Sequence, residues 1–226
     1  LSLNCNQLVN AEFRVEIHAW DENDQHDFCE SILQIRDTDQ YCPRSTGMIA
    51  GTILTEDQRF IQNADVSLSG PQAMLYLSNE NGKYAFDFIE TNNDYTVSPS
   101  LNSGFLNGIS TRDILLIQNH ILGQDLLDSP YKLIAADVNN SKAISTLDLI
   151  ELRKLILSVD LRFENNSSWR FIPAQYRFPN PTNPWQTNFP EIININNLKD
   201  SLMSADFIGI KIGDVSGNVD PATTLS

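Results

Sequence analysis

Residues 12–20, EFRVEIHAW, alternate apolar and polar side chains; a polar run DENDQHD follows, and residues 28–36, FCESILQIR, alternate again. A period of two marks a strand with one buried face, and a short polar run between two such strands closes a hairpin, here turning near Asp24. A lone hairpin is only marginally stable in water. Residues 1–43 therefore read as the last strands of a sandwich whose first strands are missing. Further on, short alternating stretches recur at GMIAGTILT, ADVSLSG, AMLYLS, GKYAFDFI and DYTVSPS, separated by Asp, Asn, Gly and Pro turns. That spacing predicts a small all-β sandwich over residues 44–100.

The period changes at residue 102. Ile114, Leu115, Ile117, Ile121 and Leu122 follow Ser110-Thr111 at helical spacing, with Gly123 placed to stop the helix; Leu147, Leu149, Ile150, Leu152, Leu155 and Ile156 follow Ser145-Thr146 in the same way. NGISTRDILLIQNHIL aligns with KAISTLDLIELRKLIL, an internal repeat offset by about 35 residues. Self-similarity at such a period means two copies of one supersecondary unit, here a loop followed by a helix, over residues 101–160. Residues 161–226 weaken in pattern. Trp169, Phe171, Tyr176, Phe178, Trp185 and Phe189 are interleaved with Pro173, Pro179, Pro181, Pro184 and Pro190, which predicts an irregular chain pinned by aromatic rings; DFIGIKIGDV at 206–215 predicts one final strand before a linker.

Composition narrows the function. The 226 residues carry Lys+Arg 15 against Asp+Glu 29, a formal net charge of -14. Such a chain has no basic patch for nucleic acid and little attraction to an anionic membrane, and divalent cations are the natural counter-charge. No apolar run approaches the ~20 residues of a membrane helix. Leu1 opens without an initiator Met or a signal pattern, so residue 1 reads as a cut within a longer chain. Cys5, Cys29 and Cys42 form no C-x-x-C pair, which points away from zinc and toward a disulfide in an oxidising, exported setting. Cys29 falls at the turn end of the hairpin, about 20 Å from the open end at ~3.3 Å per residue, whereas bridged Cα atoms lie within about 7 Å. The expected pair is Cys5–Cys42, leaving Cys29 free or paired upstream.

The residues richest in chemistry are the twelve from Asp137 to Asp148, directly before the second helix. Calcium takes six to eight hard oxygens, and a loop of this length supplies them from positions 1, 3, 5, 7 through its carbonyl, 9 and 12. Those positions are Asp137, Asn139, Ser141, Ala143, Ser145 and Asp148. Lys142 stands at position 6, where glycine usually makes the turn, and position 12 is Asp rather than a bidentate Glu. Few negative ligands imply the weak affinity of extracellular modules. The bland alternative is an Asx-rich loop whose Asp148 serves the helix N-terminus. The first copy aligns Asn102, Gly104, Leu106, Gly108, Ser110 and Asp113, and lacks side-chain oxygens at positions 3 and 5. Its candidate ligands are Asn102, Ser110 and Asp113. Asp214, Ser216 and Asn218 form a further D-x-S-x-N run, which without a following helix reads as a turn.

Residues 1–43 resemble the last strands of immunoglobulin-like repeats of bacterial surface proteins. Gly51-x-Ile53, the Ala64-Asp65-Val66-x-Leu68 stretch, Asn81-Gly82-Lys83-Tyr84 and Asp94-Tyr95-Thr96-Val97 lie in an order similar to carboxypeptidase-regulatory-like, prealbumin-type domains, which serve as spacers. The doubled loop and helix, with S-T-x-D in both copies, resembles a type I dockerin, a pair of calcium F-hands. That resemblance implies folding around Ca2+ and docking of one helical face onto a cohesin-like β-sandwich, with recognition positions at Thr111, Arg112, Thr146 and Leu147. Arg112 against Leu147 breaks the two-fold symmetry that would permit two docking orientations. The order of modules is similar to the C-terminal regions of Bacteroidetes surface proteins of the type IX secretion class.

The expected fold class is thus multidomain and mostly β, with an α dockerin-like pair: residues 1–43 a partial Ig-like sandwich, 44–100 a prealbumin-like sandwich, 101–160 the repeat pair, and 161–226 a wrapping segment, final strand and linker. His18, His26 and His120 sit in no nucleophile or metal motif, and no phosphate loop or G-x-S-x-G is present, so the expectation is no enzyme. The expected function is a calcium-stabilised interaction region at the cell surface, docking a cohesin-like module in trans or in cis. The alternative is a structural segment of an adhesin or extracellular fibre, with self-assembly among its expected partnerships and the helices packed internally. Carbohydrate binding by exposed aromatics would require a coplanar platform. What the aromatic segment does to the apolar helix faces separates the first two.

Overall fold

The computed structural model describes residues 12–34 and 45–222. It falls into two compact units, one up to Ser45 and one from Thr46 onward. In the first, β1 (Glu12–Trp20) pairs antiparallel with β2 (His26–Gln34), in register from Glu12 opposite Gln34 to Trp20 opposite His26. The turn is an Asx turn: Asp21 Oδ1 accepts from the amides of Asn23 (2.8 Å) and Gln25 (3.0 Å), while Asp24 takes φ 60°. Cys29 is a free, exposed thiol. The expected Cys5–Cys42 bridge lies outside the described residues.

In the second unit the five expected strands form where the alternation placed them. They are β3 (Thr46–Leu54), β4 (Asp65–Ser69), β5 (Met74–Leu77), β6 (Lys83–Glu90) and β7 (Tyr95–Ser100). Three helices follow: α1 (Thr111–Ile121), α2 (Pro130–Ala136) and α3 (Thr146–Ile156). The serines read as helix starts act as N-caps. Ser110 with Asp113, and Ser145 with Asp148, each close a capping box in which hydroxyl and carboxylate exchange hydrogen bonds with the first-turn backbone. Helix α2 has no counterpart in the repeat reading. It is short, but Ser129 caps it and Pro130 presets its first turn.

The last third of the chain is less irregular than its prolines suggest. It contributes β8 (Trp169–Pro173), β9 (Ile193–Ile195) and β10 (Phe207–Lys211). These strands complete both layers of the sandwich, one sheet in the order β6-β3-β10-β8 and the other β5-β4-β7-β9. Strand β10 lies parallel to β3, Phe207 opposite Ile53, and antiparallel to β8. Residues assigned by sequence to 44–100, 101–160 and 161–226 therefore share one unit.

Alternation on β8 and β10 explains how. Phe171 and Phe207 point into the core between the sheets with Ile49, Val66, Phe86 and Val97; Ile172, Ile210 and Ile212 point the other way, into a second core with Ile117, Ile134 and Leu152 from the helices. Strands buried on both faces lose the clean polar alternation of a half-exposed sheet. Tyr176, Phe178, Trp185 and Phe189 pack against the helical core, with Phe178 edge-on to Tyr131 of α2 at 5.6 Å.

Candidate functional site: two oxygen-lined loops

The loop from Asp137 to Asp148 is folded around the side chains of its first and last residues. Asp137 and Asp148 are fully buried. Asp137 accepts from the amide of Ser141 at 2.8 Å through Oδ1 and from that of Lys142 at 2.8 Å through Oδ2; Asp148 accepts from Asn139 N at 3.1 Å and from Ser145 N at 2.8 Å. Asn139 Oδ1 accepts from the same Ser141 amide, and the Ser141 hydroxyl donates to the Ala143 carbonyl at 3.1 Å. Lys142 sits at φ 64°, so position 6 makes the left-handed turn without glycine, its side chain exposed. Burial pushes the Asp137 carboxyl above its usual range, against the lowering by the Ser141 and Lys142 amides, and the negative charge of Asp148 adds to the rise.

The first copy is built differently. Asn102 Oδ1 is committed to the amide of Ser168 at 2.9 Å. Ser110 serves Asp113 and the helix cap. Asp113, fully buried, turns Oδ1 toward the far end of the chain and accepts from Val215 N at 3.1 Å and Ser216 N at 2.9 Å. There the D-x-S-x-N run, read as a simple turn, folds around its own aspartate. Asp214 accepts from Ser216 Oγ (3.1 Å), Gly217 N (2.9 Å), Asn218 N (3.3 Å) and Val219 N (2.8 Å).

The two arrangements correspond role for role. Asp137 and Asp214 open a loop and gather its amides, while Asp148 and Asp113 reach in from the first turn of a capped helix to the amides one or two residues after the opening aspartate. In the second arrangement the loop and the helix come from opposite ends of residues 102–219. Asn218 completes it: with its amide nitrogen turned inward it donates to Gly108 O at 2.5 Å, Ser216 Oγ at 3.2 Å and Asp214 Oδ1 at 3.3 Å. Those three oxygens converge on the Asn218 nitrogen, while Asp113 holds the same loop through the Val215 and Ser216 amides. Gly108 must be glycine, since φ is 78° and a Cβ there would lie 2.6 Å from the Val219 backbone. Asn107 locks the seam by donating to Asp220 O at 2.8 Å. Burial raises the Asp214 carboxyl, and the charge of Asp113 raises it further. Beneath lies Lys211, its Nζ donating to Phe105 O at 2.8 Å and burial lowering its pKa to about 7.

Chemically, each cage offers two carboxylates supplemented by amide, hydroxyl and carbonyl oxygens, and no nitrogen or sulfur ligand. Among the described residues no three His, Cys, Asp or Glu side chains converge on one point. That donor set fits a hard cation of flexible coordination and modest affinity, and fits neither zinc nor a redox metal.

Thr111, Arg112, Thr146 and Leu147, the recognition positions of the resemblance, are all exposed at the starts of α1 and α3. Repeat-equivalent positions further along are exposed too: Leu115 with Ile150, and Leu122 with Leu157. The opposite faces of both helices are buried in the second core. Among the described residues no helix is long and apolar enough to cross a membrane.

No protein-family model and no curated protein matches the chain. Partial likenesses occur among solved structures. The major pilin subunit BcpA of Bacillus cereus is 19% identical over 41% of this chain and 28% of its own, with a TM-score of 0.23. The C-terminal fragment of the pilus adhesin SpaC from Lactobacillus rhamnosus GG is 12% identical over 39% of this chain and 38% of its own, TM-score 0.24. The Bacillus anthracis TIE protein is 12% identical over 40% of this chain and 18% of its own, TM-score 0.24. The chain thus spans well under half the length of each.

Proposed function

We propose that the chain is a non-catalytic, calcium-stabilised structural segment of an extracellular surface protein or fibre. The observation carrying this reading is the coverage of the helices' apolar faces by β8, β10 and the aromatic segment, which makes α1, α2 and α3 part of the sandwich unit. Calcium occupies the loop of Asp137, Asn139, Ser141, Ala143 and Asp148. A second ion sits between Asp214, Ser216, the Gly108 carbonyl and Asp113, taking the place that the Asn218 amide nitrogen fills by hydrogen bonding, with that amide rotated to present its oxygen, and there it staples the C-terminal segment to α1. Asn102 and Ser110 are occupied elsewhere and drop out of the ligand set. Two carboxylates per ion give the weak affinity that millimolar calcium outside a cell satisfies. The exposed cysteine and the acidic surface suit the same setting.

Thermal unfolding with calcium and with chelator tests the reading. An ion bound to the native state alone stabilises by about 2.7 kcal/mol at a hundredfold excess over Kd. An unchanged melting temperature refutes calcium at both loops. A second reading, docking of a cohesin-like β-module, is favoured by one observation: the exposed, repeat-equivalent pairs Arg112/Leu147, Leu115/Ile150 and Leu122/Leu157 run along the outer faces of α1 and α3. Leu147→Glu combined with Leu115→Glu should abolish capture of a β-sandwich partner and leave the unfolding free energy within about 1 kcal/mol of its original value, as surface changes do.

A further inference from the structure

The sandwich has four edge strands, and three are protected. Strand β6 carries Lys83, Asp87 and Glu90 and is kinked at Phe88, φ 58°. Strand β8 ends in Pro173 and pairs Arg170 with Glu191 at 2.5 Å. Strand β9 is three residues long. Charge, proline, irregularity and shortness are the devices by which sheets avoid pairing with strangers.

Strand β5, four residues long, carries no charge, proline or kink. Its sequence is Met-Leu-Tyr-Leu, and the exposures are 40% for Met74, 67% for Leu75, 41% for Tyr76 and 54% for Leu77. Register fixes which backbone groups are free. Val66 of β4 stands between Pro99 on one side and Tyr76 on the other. Pro99 has no N–H, so the bonded partner of Val66 is Tyr76, and Ser78, two residues on, exchanges bonds with Asn63 and Ala64. Met74, Tyr76 and Ser78 thus spend their amides and carbonyls on β4, while those of Leu75 and Leu77 point away from the sheet.

We propose that β5 is a strand-addition site that takes an extended segment of another polypeptide, apolar at alternate positions and basic where it meets the Leu77 end. Outward amides and carbonyls at two alternate residues require a backbone partner, which only an extended strand supplies in register. The Leu77 end of the edge is acidic, with exposed Asp65 opposite Leu77 and exposed Glu80 beyond it. A second copy brings the same net charge of -14 and is repelled. This surface is independent of the calcium loops, so the binding persists in chelator whenever the fold does.

The probe is a fluorescent peptide, acetyl-Lys-Thr-Val-Thr-Val-Thr-Val-Thr-Lys-amide, beside a twin N-methylated at alternate residues. Fluorescence anisotropy on the whole chain should show saturable binding that weakens about tenfold or more for the N-methylated twin, with hydrogen exchange slowed at Leu75 and Leu77. Leu75→Pro removes an outward N–H and no ladder bond, so it should fold and lose the peptide about as strongly. Should that variant not fold, the twin and the exchange pattern still decide. Equal binding of the twin, unchanged exchange at Leu75 and Leu77, or no binding overturns the proposal, as does a concentration-dependent dimer that excludes the peptide.

Discussion

The loop at 137–148 and the loop shared by Gly108–Asp113 and Asp214–Val219 use the same chemistry at different ranges. In the first, the helix carboxylate meets the loop amide nine residues back; in the second, Asp113 meets Val215 across 102 residues. Closing the longer connection costs about 2 kcal/mol more in chain entropy. The local loop is therefore set by its own sequence, whereas the distant one exists only once β10 has carried residues 214–219 to α1. One is a motif and the other a clasp.

The harshest way to break the comparison is to remove what brings the clasp together. Phe207→Ala, at a fully buried position on β10, should cost about 3–5 kcal/mol in urea unfolding, with hydrogen-exchange protection at 214–219 lost before that at 139–142. Asp113→Ala should come next, at roughly 3 kcal/mol, because it orphans the amides of Val215 and Ser216 and opens the Ser110 capping box. Asp148→Ala opens the equivalent box but should leave exchange at 214–219 unchanged; equal disturbance at both places would erase the distinction.

A subtler test counts ions. Calorimetric titration should give two calcium ions per chain, falling to one in Asp137→Ala and to one in Asp214→Ala, each bound ion contributing about 2.7 kcal/mol at a hundredfold excess. A single ion in the unaltered protein, lost only with Asp137→Ala, would mean that the clasp is held by hydrogen bonds alone. The smallest effect is expected at His120, on the last turn of α1. Its Nδ1 accepts from Leu127 N at 3.1 Å, and burial lowers its pKa from 6.5. The unfolded chain therefore takes up the proton first. The contribution is present above about pH 6.5 and is lost as pH falls toward the lowered folded value. His120→Gln, which keeps an acceptor, should flatten that slope in melts between pH 7 and about 5.

Much of this was legible in the sequence because it is local. Alternation placed β1 through β7, the two serine-led capping boxes placed α1 and α3, and twelve-residue spacing singled out the loop that folds around Asp137 and Asp148. Helix α2 and strands β8 and β9 escaped because seven, five and three residues carry too little periodicity, and because β8 faces two cores at once. The first-copy ligands Asn102 and Ser110 were aligned by repeat symmetry, but sequence symmetry cannot show that Asn102 is spent on Ser168. The D-x-S-x-N run held the one available signal: it repeats the opening of the second loop without a helix behind it, and the helix it needed lay a hundred residues upstream.

Sequence by itself thus determined which residues make strands, which serines cap helices, and that the chain is acidic and rich in oxygen ligands, since each of these depends on neighbours within a few residues. Only the tertiary structure decided that the last third of the chain completes the sandwich, that the helices are packed inside it, and that Asp113 and Asp214 share one cage. Those outcomes depend on burying Phe207, Ile210 and Ile212 between two cores, and burial is a property of the assembled chain rather than of any segment.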